Sequence, residues 1–556
     1  MTSSNPPASS FVVSLISPAI LLCVSLAFFS INLDYPPKFD ELYHVLGARG
    51  YIEFGEPRIA EGIYSRVSLF TAMIAALFTS FGESMVIARM PSVICGALLV
   101  ATMFIWTRSI AGPIAAWSAS VLFMLSPLAV EVFQYLRFYA PQALMFWLGA
   151  LAIFTACTRL RPLAIDGQTA VTKEGVLRQS WLWLIALICF AVATYLQVVT
   201  LIGLLGVAIW AMLFLGVPWL RSLPSRTRWM VILIGGSVCL IGFVIVWGFI
   251  GSTLLATYLK APLYAAPRRH VVWFYHFWLN LYYPSIWPIF PFLVLGAVCL
   301  RSRPALFCLA IFGTAMLLHA FAASKARIYI FYAMPFMFVL FGMGLAYFGP
   351  PVVKFLRELV RNALTMAGLP ATRRYRYGVW ILAGLFLLGA NTATIRTITM
   401  LAGVTVPPEV HPSDWAAVAP TLRPIMAESD VVVTANELHT LYFIGEYDIL
   451  LGASRMSELR EKYEFEPDHR TGRPVISQLE SVDDVVDCFA SGVFIIEKPR
   501  WRNVSFVSRE ISNLIVTRTE EIELPATSRI RAFSWARDDV IANDQCEMIT
   551  SSIQKG

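Results

Sequence analysis

Charge is what this chain has least of. Only 14% of its 556 residues are Asp, Glu, Lys or Arg, against 57% hydrophobic. Soluble proteins are about a quarter charged, so an ordinary soluble enzyme is excluded and most of the chain belongs in lipid. Basic residues are also missing from the opening "MTSSNPPASS". A cleaved signal peptide has a basic n-region and a small-residue cleavage site. "AFFSINLDY" offers neither, so Phe11 to Ile31 reads as a retained first transmembrane helix. The nine cysteines contain no CxxC pair and no Cys/His cluster of zinc spacing. Cys23, Cys95, Cys157, Cys189, Cys239, Cys299 and Cys308 fall in apolar runs, where they act as small hydrophobes. Cys488 and Cys546 lie in the polar C-terminal part and could form one disulfide if that part is extracytoplasmic.

What the chain does have is apolar runs of spanning length, for which about 20 residues are needed. Eleven are expected, near 11–32, 86–107, 113–130, 139–157, 181–196, 198–215, 229–250, 284–300, 305–322, 328–348 and 378–400. A further apolar run, 67–81, would reverse everything after it if it crossed. The positive-inside rule arbitrates. With 67–81 left out, one side collects Arg108, then Arg159, Arg161, Lys173 and Arg178, then Arg221, Arg226 and Arg228. The same side collects Arg301 and Arg303, and finally Lys354, Arg357, Arg361, Arg373, Arg374 and Arg376. That side is the cytoplasm, and 67–81 becomes a helix lying in the interface. The expected topology has the N-terminus inside and the C-terminus outside the plasma (inner) membrane.

After Leu401 the texture changes. Pro407, Pro408 and Pro412 mark a linker, so the expected domains are 1–403 in the membrane, with a polar outer loop at 33–85, and 404–556 outside it. In the second, 430–435 and 492–498 read as buried strands and 413–428, 454–463 and 480–490 as helices. Strands alternating with helices suggest an extracytoplasmic α/β domain with a partly parallel sheet. It lacks a GxGxxG loop after a strand, so it is not read as a nucleotide-binding domain.

On the outer side four segments are more polar than loops of their size require. In "YPPKFDELYH" (35–44), Asp40, Glu41 and His44 share one face of a restarting helix. Asp40 could be a first-turn acid favoured by the helix dipole, or a partly desolvated general base beside the membrane. "SPLAVEVFQYLRFYAPQAL" (126–144) carries Glu131, Gln134, Arg137 and Tyr139, and Arg89 stands at the outer start of the second span. Interface anchoring suits Tyr139, but ionisable groups at membrane depth are costly and are functional candidates. The third segment, 258–284, mixes Lys260, Arg268, Arg269 and His270 with a dense aromatic run. Such a mixture stacks single-stranded bases elsewhere, but the outer face of a membrane is no place for nucleic acid. An aromatic belt, or a groove gripping a lipid phosphate, is the reading there. In the fourth, "SKARIYIFYAMP" (324–335), Lys325 and Arg327 lie outside against the positive-inside trend. They suit either headgroup snorkelling or a phosphate.

Together these segments resemble the GT-C type of glycosyltransferase, and within it the protein O-mannosyltransferase and lipid A aminoarabinose transferase group. The likeness rests on Asp40-Glu41 in the first outer loop, the amphipathic stretch after it, and "FGESMVIARMPSVICGALL" (81–99). It continues in Ser126-Pro127 with Arg137-Phe138-Tyr139, and in the basic entry from Arg327 to Pro335. It covers residues 15 to 160 and 320 to 348; the middle is compatible in topology. The resemblance implies a GT-C-like membrane domain of about 11 transmembrane helices plus interfacial helices. It also implies a polyprenyl-phosphate-linked sugar donor and transfer to a lipid, glycan or protein acceptor in the envelope, with inversion. Asp40 would activate or orient the acceptor, with Glu41 in support. His44, Arg89, Glu131, Arg137 and Tyr139 would position it. Lys260, Arg268, Arg269, His270, Lys325 and Arg327 are the candidates for the donor phosphate. No cofactor is expected, although Asp40, Glu41 and His44 could hold a divalent ion. The chain departs from the family in His44, in "GIYSRVS" (62–68) where a prolyl-lysyl element is expected, and in having no β-trefoil repeats. Its α/β tail suggests a bacterial relative acting on a lipid, glycan or envelope polymer.

Two other classes stand beside this one. A lipid-linked glycan ligase or polymerase would make His270 or His276 central. A transporter or flippase of lipid-linked sugars would show related halves with broken helices at matching positions, and no convincing repeat is visible.

Overall fold

A computed structural model describes residues 8–165, 180–259, 263–367, 374–404, 413–537 and 544–555. Lys173, Arg178, Lys260, Arg373 and the linker prolines lie outside them. The protein is a mainly helical, multi-pass membrane protein with a sheet-containing C-terminal part, and it divides into two compact units. One comprises Met1–Leu33, Arg89–Lys260 and Arg268–Pro407; the other comprises Asp34–Ala88, Ala261–Pro267 and Pro408–Gly556.

In the first unit the expected spans take two forms. Six helices among the described residues are long and apolar enough to cross a bilayer: Met85–Ala111, Tyr139–Arg159, Thr200–Ser222, Ser225–Ile245, Ser302–Phe321 and Arg327–Met366. Three more expected spans are bent pairs: Pro113–Met124 with Pro127–Phe133 at 62°, Phe274–Tyr282 with Trp287–Leu300 at 117°, and Gly378–Gly389 with Thr392–Leu401 at 70°. By length and composition six to nine spans are counted among the described residues, and shorter apolar helices stand at two more of the expected positions. The expected spans 11–32 and 181–196 are apolar helices too, Ala8–Phe29 and Ser180–Leu196.

Each break has a local cause. The residue before a proline is pushed out of helical geometry, and Ser126 before Pro127 is extended (φ −80°, ψ 128°). Its hydroxyl caps the new helix by accepting the Ala129 N–H. Asn391 is likewise extended and caps Thr392–Leu401. Backbone groups freed inside a membrane protein must find partners, and here the breaks satisfy one another. The Leu125 carbonyl accepts the Thr397 hydroxyl at 2.8 Å, the Leu281 carbonyl accepts Arg396 at 2.7 Å, and the Ala390 carbonyl accepts Ser285 at 3.2 Å. Close packing around this node depends on small residues. A Cβ on Gly342 would strike the backbone of Ala115 and Ala119, and one on Gly344 would strike Leu293.

The second unit joins the first polar loop to the C-terminal sheet. Its hairpin strands are β1 (Arg58–Ile59) and β2 (Gly62–Ile63). The sheet strands are β3 (Val431–Thr434), β4 (Ile449–Leu451), β5 (Glu466–Pro467), β6 (Pro474–Ile476), β7 (Ser491–Glu497), β8 (Glu520–Ile522) and β9 (Ile530–Ala536). They run in the order β5-β6-β4-β3-β7-β9-β8. β6, β4, β3 and β7 are mutually parallel neighbours, and the outer strands are antiparallel. β3 and β7 are almost wholly buried, as apolar central strands should be. The chain turns to opposite sides of β3 to make β4 and β7, so a topological switch point lies between β3 and β7. Cys488 and Cys546 are bonded, fastening Leu479–Cys488 to Asp544–Lys555. Helices occur at Trp415–Glu428, Ala453–Glu458 and Leu479–Cys488 where three were expected, the second of them shorter. The hairpin tip meets the 470–472 turn, with the Glu61 N–H on the Thr471 carbonyl at 2.9 Å. Gly62 and Gly472 allow that approach, since a Cβ on either would overlap the opposing backbone.

Candidate functional site

In the membrane unit, the bends bring three distant segments together. Glu131, on the short helix after Ser126-Pro127, forms a two-pronged ion pair with Arg327. Arg327 Nε lies 3.1 Å from Glu131 Oε2, and Arg327 Nη2 bonds Glu131 Oε1. Both side chains are largely buried, and a matched fork of this kind is the arrangement in which burial of two charges is tolerated. The Tyr282 hydroxyl reaches the same carboxylate at 3.5 Å, and Tyr283 shares a 2.6 Å hydrogen bond with Ser126. Neither tyrosine stands out in sequence from the aromatic run around it; only the fold separates them from a lipid-facing belt.

Lys325 is 2% exposed. Its ammonium donates to the Arg269 carbonyl at 2.7 Å and the Arg268 carbonyl at 3.3 Å. Burial lowers its pKa from the ordinary lysine value. Its two acceptors are neutral, so they solvate the charge without cancelling it. The side chains of Arg268, Arg269 and His270 are exposed, and the Arg268 guanidinium lies over Phe274. Three of the six residues named for the donor phosphate are therefore neighbours, Lys325 with Arg268 and Arg269. Arg327, two residues on, is turned to Glu131, and Lys260 is outside the described residues. His276, central to a ligase reading, is exposed and accepts the Trp287 indole N–H at 3.0 Å.

Arg89 is fully buried and donates to the Leu33 carbonyl at 2.7 Å. Arg137 is 4% exposed, with its guanidinium over Phe138. The backbone there is held by Ser92, whose hydroxyl donates to the Tyr135 carbonyl at 2.8 Å. Gln134 donates to the Ile31 and Phe29 carbonyls, and Tyr139 is buried against Phe138.

The acidic motif belongs to the second unit. Lys38 is the N-cap of the Phe39–Phe54 helix, which places Asp40 and Glu41 in its first turn. The buried Glu41 carboxylate accepts the Lys38 N–H at 2.8 Å, half of a capping box. Asp40 is half-buried. His44, fully buried, shares a 2.9 Å hydrogen bond with the Thr71 hydroxyl on Ser68–Phe81 and meets Tyr64 and Phe70 edge-on. The sequence pattern groups the three residues as equals, whereas the structure gives Glu41 and His44 work within the loop. Among the described residues no group of three or more His, Cys, Asp or Glu side chains is gathered as a metal site.

The membrane unit with its broken helices, followed by the sheet-containing domain, has a GT-C fold by likeness to solved structures. The particular likeness is to ArnT, the lipid A aminoarabinose transferase, from Cupriavidus metallidurans. Against the crystal structure bound to undecaprenyl phosphate, 97% of this chain and 100% of that one align at 14% identity and a TM-score of 0.56. Against the apo structure the shares are 95% and 98%, with the same identity and TM-score. At this identity the likeness establishes the fold. No protein-family model and no curated protein matches the chain.

Proposed function

We propose that this chain is a glycosyltransferase of the plasma (inner) membrane that moves a sugar from a polyprenyl-phosphate donor to an acceptor at the outer face. What carries this reading is the grouping of Lys325, Arg268 and Arg269 on a fold that, in ArnT, was crystallised with undecaprenyl phosphate. An ammonium solvated by carbonyls, with two exposed arginines beside it, is suited to the phosphodiester of the donor and to the phosphate monoester that leaves. The acceptor oxygen attacks the anomeric carbon from the face opposite the donor oxygen, so the configuration inverts. The bond from that carbon to the phosphate oxygen breaks, and the polyprenyl phosphate leaves with the electron pair. Asp40 takes the acceptor proton, while the cations hold the charge that grows on the departing phosphate. Arg137 positions the acceptor, and the Glu131–Arg327 pair braces the entry to the Arg327–Met366 span. The Cys488–Cys546 bond fits an oxidising compartment for the α/β domain, with the N-terminus cytoplasmic.

The test is sugar transfer by the purified, reconstituted protein from a panel of polyprenyl-phosphate sugars, scored as release of free polyprenyl phosphate. Asp40→Asn is expected to lower turnover by about 10²- to 10⁴-fold, the usual worth of a general base, with donor binding retained. Undiminished turnover in that variant moves the base elsewhere. Absence of turnover with every donor removes the transferase reading.

A further inference from the structure

In open α/β sheets, ligands bind outside the carboxyl ends of the strands, at the point where strand order reverses. Here that point lies between β3 and β7, and the residues that follow the parallel strands converge on a piece of the same chain. After β3, the His439 ring packs against Phe39 at 5.6 Å and parallel to Trp415 at 5.2 Å. After β7, the Arg500 guanidinium sits 4.9 Å over the Phe39 ring, is anchored on the Ala435 carbonyl and lies 3.8 Å from Glu437. After β4, Arg455 donates to the Tyr43 phenol oxygen at 2.9 Å and to Glu437 at 2.6 Å. Arg470 adds a second donor to that phenol at 3.0 Å. Phe39 and Tyr43 bracket Asp40 and Glu41.

We infer that the switch-point crevice of the C-terminal domain is a docking site for residues 39–43, and that His439, Arg455 and Arg500 are positioning residues for the Asp40 carboxylate. This inference rests on the transferase reading above. The geometry assigns a use to a domain that chemistry on a lipid-linked donor does not otherwise need. The crevice grips the ring just before Asp40 and the phenol one turn after it. A first-turn carboxylate moves with both. One grip is on a ring face and the other on a hydroxyl, so the helical phase of the segment is set as well as its location. Arg455 is itself held by Glu458 at 3.1 Å, one turn along the helix Ala453–Glu458 that follows β4.

The decisive experiment compares wild type, His439→Ala, His439→Phe and Tyr43→Phe as full-length reconstituted protein. Amide exchange in 38–46 and steady-state transfer are both measured. Losing one grip should speed exchange in the first turns of Phe39–Phe54 by about tenfold, the equivalent of one hydrogen bond or one aromatic contact. Exchange in β3 and β7 should stay protected. In His439→Ala, kcat should fall on the order of 10²-fold, as for a small misplacement of a reacting group, with donor KM unchanged. His439→Phe keeps an aromatic ring between Phe39 and Trp415 and should restore most of both. Unchanged exchange in His439→Ala overturns the proposal, as does faster exchange with an unchanged kcat. If wild type transfers no sugar from any donor, the transferase reading fails, and exchange alone then decides the docking: faster exchange supports it and unchanged exchange removes it.

Discussion

Lys325 in the membrane unit and Arg455 in the α/β unit are buried by opposite means. Lys325 is surrounded by the carbonyls of Arg268 and Arg269, so it is desolvated yet keeps its charge. Arg455 meets Glu437 and Glu458, with Asp468 at 3.9 Å. A cation held by dipoles can still attract an anion from outside, whereas one matched by carboxylates fastens one part of the chain to another. Their responses to burial differ accordingly. Burial lowers the Lys325 pKa. It acts in the same direction on Arg455, but Glu437 and the other anions outweigh it and hold the guanidinium well above its usual value. Position in sequence tells neither case apart, so substitution must do so.

The largest effect is expected at the matched cation. Arg455→Met leaves Glu437, 2% exposed, facing only Arg500 at 3.8 Å. Breaking one partner of a buried pair costs about 3–5 kcal/mol, to be read as lost exchange protection across β3 and β7. A loss below about 1 kcal/mol would end the view of this network as a fastener.

Next comes pH. Burial holds His439 neutral and lowers its pKa from 6.5 to about 4, against the opposing pull of Glu497. The unfolded chain binds that proton more readily than the fold does. This contribution is therefore complete above about pH 6.5 and is lost as pH falls through about 4, amounting to about 3 kcal/mol. Glu437 adds to the loss at the acid end. Burial raises its pKa, but Arg455 and Arg500 outweigh burial and hold it below the ordinary value, so its share disappears as pH drops below about 4.5. His439→Gln should remove the upper part of this dependence in an acid unfolding series. An unchanged profile would assign the acid sensitivity to the carboxylates alone.

A smaller effect is expected at the carbonyl-held cation, and in a different observable. Lys325→Met should weaken polyprenyl-phosphate binding by about 10- to 100-fold, one charge-assisted contact, and more than Asp40→Asn does. Protection in the α/β sheet should not change. Equal affinity in both variants would remove Lys325 from the phosphate role. The smallest effect belongs to the exposed Arg49–Glu83 pair at 2.7 Å. Glu83→Gln should alter stability by less than about 0.5 kcal/mol, since water screens what burial intensifies at Arg455.

Much of the scaffold is legible before folding. The run 67–81 reads as a helix and forms Ser68–Phe81. "DVVVTA" and "GVFIIEK" read as strands and become β3 and β7, because short β-branched apolar runs report their own burial. The bends are harder to read. Hydropathy adds residues without regard to direction, so 113–130 scores as one span although it turns by 62° at Ser126-Pro127. β4 and β6 are three residues each, too short for periodicity to show. The docking residues carry no local signal at all: 412 positions separate Tyr43 from Arg455, and each arginine resembles any surface arginine until its neighbours are known.

The sequence by itself determined that the chain is a polytopic membrane protein with a polar α/β tail. It also singled out an acidic pair after the first apolar run and basic residues clustered late in the chain. Those properties follow from composition and short-range periodicity, which are sums over neighbouring residues. Tertiary structure decided which of the singled-out residues have work within the fold. Glu41 caps its own helix, Arg327 is matched by Glu131, Lys325 gathers the 268–269 turn, and the segment 39–43 is seated at the switch point of the sheet. Each of these depends on groups brought within about 3 to 5 Å from far along the chain. At such distances a buried charge or hydrogen bond outweighs any local preference.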